Sequence, residues 1–176
     1  MKEISMYHPL SKIFHWLMAL MIVGLLAMGL VFEYMPQELR SMLMGWHKAF
    51  GVLVLALTFV RAMWWLTQTK PALVKTLPAW VSPYINFGHS VLYGFMAVIP
   101  FSGWVMSNAA GYPVTAFGYM LPTLVEKNME LRHMMGEIHE IGAYVLIAVL
   151  VSHVAAAVYH HRIFKDETLT RMMFGK

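Results

Sequence analysis

Four runs of about twenty apolar residues decide what this chain can fold into. They cover about Ser11 to Phe32, Gly45 to Leu66, Tyr84 to Ser107 and Glu137 to His160. A helix of about 20 residues crosses a hydrocarbon layer of roughly 30 Å. Backbone groups in lipid must be satisfied within the segment, so helices are expected. The alternating ten-residue strands of a membrane barrel are absent. The chain is 59% hydrophobic and 12% charged, where an ordinary soluble domain carries about 25% charge. At 176 residues it is too short to hide that much apolar surface from water. The expected fold is all-α, a membrane four-helix bundle. No linker is long enough to separate a second unit from the first, so residues 1–176 are read as one domain.

The chain has no cysteine. That excludes disulfides, thiolate ligation of haem and Cys-bound iron–sulfur clusters. The first apolar run is longer than the usual core of a cleaved signal peptide, about 7–15 residues, and lacks a small-residue exit, so it is expected to remain as a span. The net charge of +4 does not argue for nucleic acid, because the basic residues flank the apolar runs. Lys2, Lys12, Arg61, Lys70, Lys75, Arg162, Lys165, Arg171 and Lys176 fall on one side. Arg40, Lys48, Lys127 and Arg132 fall on the other. That bias places both termini in the cytoplasm.

The connection from Thr67 to Pro83, with Pro71, Pro78 and Pro83, is expected to be an irregular cytoplasmic loop. The connection from Asn108 to Met135 is the longest, and its apolar middle, Val114 to Val125, suggests a short interfacial helix. Pro100 predicts a kink in the third span. The six tryptophans fall mostly near span ends, as an aromatic belt does. The seventeen methionines form no compact Met-x-x-Met cluster and suit packing and lipid contact rather than copper.

The histidines carry the chemistry. His139 and His153 are fourteen positions apart in the fourth run. A helix rise of roughly 1.5 Å per residue and a turn of about 100° put both on nearly one face, about 21 Å apart. Titratable rings at such depth are costly and mark a ligand, a relay or a bound ion. Counting depth along the spans puts His47 level with His139 on the periplasmic side, and His15 or His89 level with His153 on the cytoplasmic side. One buried histidine is more often a core hydrogen-bonder. Four at matched depths on three helices favour cofactor ligation, and two stacked haems, each between imidazoles, fit best. Gly136, Gly142, Ala143, Gly51, Ala156 and Ala157 beside the ligands, with Gly24 and Gly29 on the first span, either make room for a flat ring or serve plain helix packing. His139-Glu140 is no zinc-protease motif, because Ala143 stands where a second histidine is needed. His8, His133, His160 and His161 are read as surface groups. Arg61 could meet a haem carboxylate or a headgroup. No catalytic acid, base or nucleophile stands out.

The order of these residues resembles the bacterial cytochrome b561 family. The match runs through Tyr7-His-Pro-Leu-Ser-Lys-Ile-Phe-His-Trp16, Trp46-His-Lys48 with Gly51, Gly88-His89-x-x-Leu-Tyr93, Pro100-x-Ser-Gly-Trp104 and the pair His139 and His153. It covers nearly the whole chain. A more distant likeness is to the cytochrome b subunits of membrane hydrogenases and formate dehydrogenases. The resemblance implies a multi-pass protein of the bacterial inner membrane with two b-type haems. His15 and His153 would hold the cytoplasmic-side haem and His47 and His139 the periplasmic-side one. His89 would contact a quinone or a haem carboxylate, or replace His15. The implied activity is transfer of superoxide's electron to ubiquinone. Depth along the spans makes His89, Arg61, Ser11 and Lys12 the candidate quinone-side groups. Two rivals stand beside it: a haem anchor relaying electrons from a partner dehydrogenase, and a transporter or scaffold using histidines as a proton relay.

Overall fold

The computed structural model describes residues 6–69, 74 and 77–174, and leaves aside the side chain of Ala79. Lys2, Lys70, Lys75, Lys176 and Pro71 of the topology reading lie outside the described residues. Helices α1 (Pro9–Val31), α2 (Gln37–Thr67), α3 (Ser82–Ala109) and α4 (Met129–Tyr159) form the body. All four, with their short helical extensions, are long and apolar enough to cross a membrane.

Local chemistry sets the helix ends. Pro9 sits in the first turn of α1, where its missing N–H costs nothing. The His8 Nδ1 accepts from the Leu10 N–H at 3.2 Å. Asn128 caps α4 by accepting from the Leu131 N–H at 3.0 Å, and Glu130 complements the helix dipole. Helices α2 and α4 begin at Gln37 and Met129, well before the apolar runs at Gly45 and Glu137. Those extra turns mix charged residues with exposed Leu39, Met42, Met129 and Met134, so hydropathy alone does not reveal them. His133 therefore belongs to α4, not to a connection.

The expected interfacial helix in Val114 to Val125 is not formed. Thr115–Ala116 (β1) pairs antiparallel with Tyr119–Met120 (β2). Phe117 and Gly118 between them have φ of 51° and 88°, the two-residue turn that suits a twisted hairpin. The hairpin is pinned to α2 by Phe117, whose ring lies 5.5 Å from Phe50 and 6.5 Å from Trp46. Buried Asn108 fastens the rest of the connection, accepting from the Leu124 N–H at 2.9 Å and donating to the Tyr112 carbonyl at 3.3 Å.

Helix α1 packs on α2, α2 on α3 and α3 on α4. Met18, Ile22, Val54, Met96, Ile99 and Leu146 form the mid-bundle core. The first two lie on α1 and the last on α4, so this plug bridges helices that share no extensive backbone seam. On its hairpin side a cavity bordered by His47 and His139 opens within the bundle. At the end opposite the hairpin, the chain turns at His160–Phe164 and folds back through Thr170–Met172. The His160 Nδ1 pairs with Asp166 at 2.7 Å, so His160 is not merely a solvated flank. The Lys12 Nζ donates to the Met173 carbonyl at 2.8 Å and the Trp16 Nε1 to the Met172 carbonyl at 2.9 Å.

Candidate functional site

At the hairpin end, α2 presents His47 and α4 presents His139. Their ring centres are 6.1 Å apart with planes inclined at 69°. The His139 Nδ1 donates to the Ile99 carbonyl at 2.8 Å. That bond puts the proton on Nδ1 and leaves the Nε2 lone pair free, the arrangement of a metal-bound histidine. Ser102 shares the carbonyl, its hydroxyl donating at 2.7 Å. A Cβ at position 103 would stand 2.9 Å from the His139 Cε1 and 3.0 Å from its Nδ1. Glycine there is a condition of the ring's position. The His47 Nδ1 is buried without a hydrogen-bond partner. A cavity of about 340 Å³ opens beside the pair, lined among others by Gly29, Gly51, Lys48 and Trp104.

The small residues divide by role. Gly29 comes within 4.0 Å of the His47 ring, measured from an ideal Cβ, and Gly51 and Gly29 both border the cavity. Gly142 and Gly136 instead face Ile99 at 3.1 Å and the Met106 sulfur at 3.4 Å. Those two seat α4 on α3, as plain packing requires. Gly24 has nothing within 4 Å.

At the other end, His153 of α4 stands between two imidazoles. Its ring centre is 6.3 Å from His15 of α1 and 5.8 Å from His89 of α3. The Arg61 guanidinium donates to the His15 Nδ1 at 3.2 Å and lies 5.6 Å over the Tyr93 ring. His89 is exposed, and its Nδ1 donates to the Ile85 carbonyl at 2.8 Å. A second cavity, about 310 Å³, is lined by Tyr7, Ser11, Arg61, Trp64 and Tyr93 among others. The Trp64 Nε1 donates to the Ser11 hydroxyl at 2.9 Å. Burial raises the Tyr7 phenol above its ordinary pKa, partly offset by Arg171, so it stays a neutral donor. Of the four sequence-predicted quinone-side groups, Arg61 and Ser11 meet here, whereas Lys12 and His89 do not line this cavity. Sequence reasoning alone does not single out Tyr7, Tyr93, Trp64, Ser102 or Gly103 as site residues. Gly103 and Trp104 stand in the Pro100-x-Ser-Gly-Trp motif, which gives them no role by itself.

Paired imidazoles on facing helices suit one kind of cofactor. A metal–imidazole bond of about 2 Å on each side, plus the rings' own radii, puts two axial ring centres roughly 6 Å apart. Both ends of α4 meet that spacing, and at the hairpin end the free His139 Nε2 and the adjoining cavity fit a haem as well.

A membrane helical bundle with facing imidazole couples of this kind has the form of the b-type membrane cytochromes. The sequence profile described as prokaryotic cytochrome b561 matches residues 6–175. The chain belongs to that family, whose members bind haem b and carry electrons in the membrane. It is a multi-pass protein of the bacterial inner membrane. It is 29% identical over 175 residues to "Cytochrome b561 homolog 2" of Escherichia coli (strain K12), covering 95% of this chain and 90% of that one. It is 30% identical over 127 residues to "Cytochrome b561 homolog 1" of the same organism, covering 72% of each. To "Probable superoxide oxidase CybB" of Yersinia pestis it is 26% identical over 159 residues, covering 90% of each.

Proposed function

We propose that the protein is a di-haem electron carrier that oxidises superoxide at the hairpin end, facing the periplasm, and reduces ubiquinone at the end that carries the termini, facing the cytoplasm. The observation that carries this reading is the pair of imidazole couples, 6.1 Å and 6.3 Å apart, at opposite ends of α4. His47 and His139 hold one haem, and His15 and His153 the other. Bound haem supplies a one-electron ferric–ferrous couple at each level. The balance is two superoxide ions giving two dioxygen, while ubiquinone takes two electrons and two protons. A relative named for superoxide oxidation supports the choice of donor.

The chain's own residues position and insulate. The Ile99 carbonyl orients His139. The plug of Met18, Ile22, Val54, Met96, Ile99 and Leu146 keeps water out of the space between the two levels. Arg61, Ser11, Tyr7 and Tyr93 line a cavity with donors for quinone oxygens. His15 ranks above His89 as ligand because it is more enclosed. One observation favours His89: its Nδ1–H is already bound to a carbonyl, whereas His15 accepts from Arg61. A haem carboxylate that draws Arg61 away frees the His15 Nδ1 to carry its proton.

Mixing purified, oxidised protein with superoxide in a stopped-flow instrument, with a soluble ubiquinone present, tests the reading. Rapid appearance of the reduced haem bands followed by quinol supports it. Absence of both overturns it.

A further inference from the structure

The hairpin-end cavity has two donors on its lining that the ligand set does not use. Lys48, next to His47, lines it half-buried. Its Nζ donates to the Ser107 hydroxyl at 2.8 Å and lies 5.7 Å over the Tyr112 ring. An ammonium has three protons to give and one is placed. Among the described residues no carboxylate stands within ion-pair distance of it. A partly desolvated cation without a counter-ion is costly. The second donor is the Trp104 indole. Its Nε1 is enclosed and has no acceptor, though an indole N–H can only donate. Trp104 lines the same cavity.

From these two groups we infer that Lys48 and Trp104 form an oxyanion-holding subsite in the wall of the hairpin-end cavity, and that a carboxylate of the haem bound there occupies it. The inference rests on the haem reading of His47 and His139. Both groups are donors, Lys48 with protons still unplaced beyond the one given to Ser107 and Trp104 with no acceptor, and an anionic oxygen satisfies both. Two sources deliver that chemistry: a carboxylate tethered to the cofactor, or a small diffusible oxyanion such as superoxide. Tethering decides between them. A free anion is present only at its solution concentration, whereas a tethered carboxylate is brought to the wall by the ring that the two histidines bind, at a high effective concentration. Ser107 then has a defined task. Its hydroxyl accepts from Lys48 and donates to the Tyr112 carbonyl at 3.1 Å, which holds the ammonium against the wall.

The test compares wild-type, Lys48→Met, Lys48→Arg and Trp104→Phe proteins as purified holoproteins. Haem content, a potentiometric titration, and reduction rates with anionic dithionite and with a neutral reductant are measured on each. A cation beside the ring favours the less positive, reduced iron. The expected result is a lower midpoint potential for one haem in Lys48→Met, restored in Lys48→Arg, with a smaller fall in Trp104→Phe. Loss of that haem in Lys48→Met but not in Lys48→Arg supports the carboxylate equally. Unchanged potentials with slower reduction by dithionite alone keep the subsite but overturn the carboxylate as its occupant, assigning it to a diffusible oxyanion. Equal haem loss in both lysine variants, or no change in any readout, overturns the subsite. Wild-type protein that binds no haem at the His47–His139 couple overturns the haem reading instead, and is seen in the haem content before any variant is made.

Discussion

The two ends of α4 solve the same problem with different rigidity. At the hairpin end one couple is defined. His139 is fixed by a carbonyl, backed by Gly103, and faces a single partner, His47. At the other end three imidazoles crowd one level, Arg61 engages one of them, and a second cavity adjoins. The first end is built to hold a ring in place. The second has a spare imidazole and a guanidinium that can change partners. That is what a site needs when it must hold a cofactor and also serve a second, exchanging molecule. The comparison teaches that matched imidazole spacing does not mean matched surroundings.

The largest effect should come from Gly103→Val. The new side chain would occupy the place of the His139 ring, and overpacking of a filled site costs about 1–3 kcal/mol even before ligation is considered. The expected outcome is loss of about half the haem, read from the pyridine haemochrome, with the termini-end haem retained. Full haem content in this variant would break the claim that the hairpin end is the rigid one.

Next in size is the contrast between His15→Ala and His89→Ala. Removal of His15 should abolish the termini-end haem while the other remains, visible as loss of one component in the reduced-minus-oxidised spectrum. Removal of His89 should leave both. The reverse pattern would exchange the two residues' roles and still preserve the contrast between a defined couple and a crowded level. A third change, Arg61→Gln, removes the charged donor from the second cavity. A hydrogen bond to a charged group is worth about 1.5–3 kcal/mol, so quinol formation should fall by about tenfold or more, measured with saturating reductant, while the hairpin-end haem is undisturbed.

The legible features of this architecture are those set by distance along a helix. Rise per residue fixes depth, so His47, His139, His15, His89 and His153 sort into two levels from their positions alone, and the structure brings the members of each level within 6.3 Å of a neighbour. What the sequence hides depends on rotation and on chain folding between distant segments. Gly103 matters because of a histidine on another helix, and the motif around it does not say so. Gly136 and Gly142 look in sequence like room for a ring, yet they serve the seam between α3 and α4. The apolar stretch from Val114 to Val125 reads as a helix because apolarity at a membrane surface is common to both outcomes. The turn at Phe117 and Gly118 is the better signal, since two successive positive φ angles end a helix and close a hairpin.

The smallest predicted effect sharpens the comparison most finely. Ser102 and His139 both donate to the Ile99 carbonyl, at 2.7 and 2.8 Å. If rigidity at the hairpin end came from that shared acceptor, Ser102→Ala would loosen the ring and release haem. If it comes from the exclusion of a side chain at Gly103, the imidazole keeps its own bond to Ile99 and the couple survives. The geometry favours the second, because the serine hydroxyl lies 3.5 Å from the His139 Nδ1, too far to orient it. The expected outcome is a stability loss of about 0.5–1.5 kcal/mol, that of one net hydrogen bond, seen as a small fall in thermal midpoint with haem content unchanged. Haem loss in Ser102→Ala comparable to that in Gly103→Val would move the origin of the rigidity from packing to hydrogen bonding.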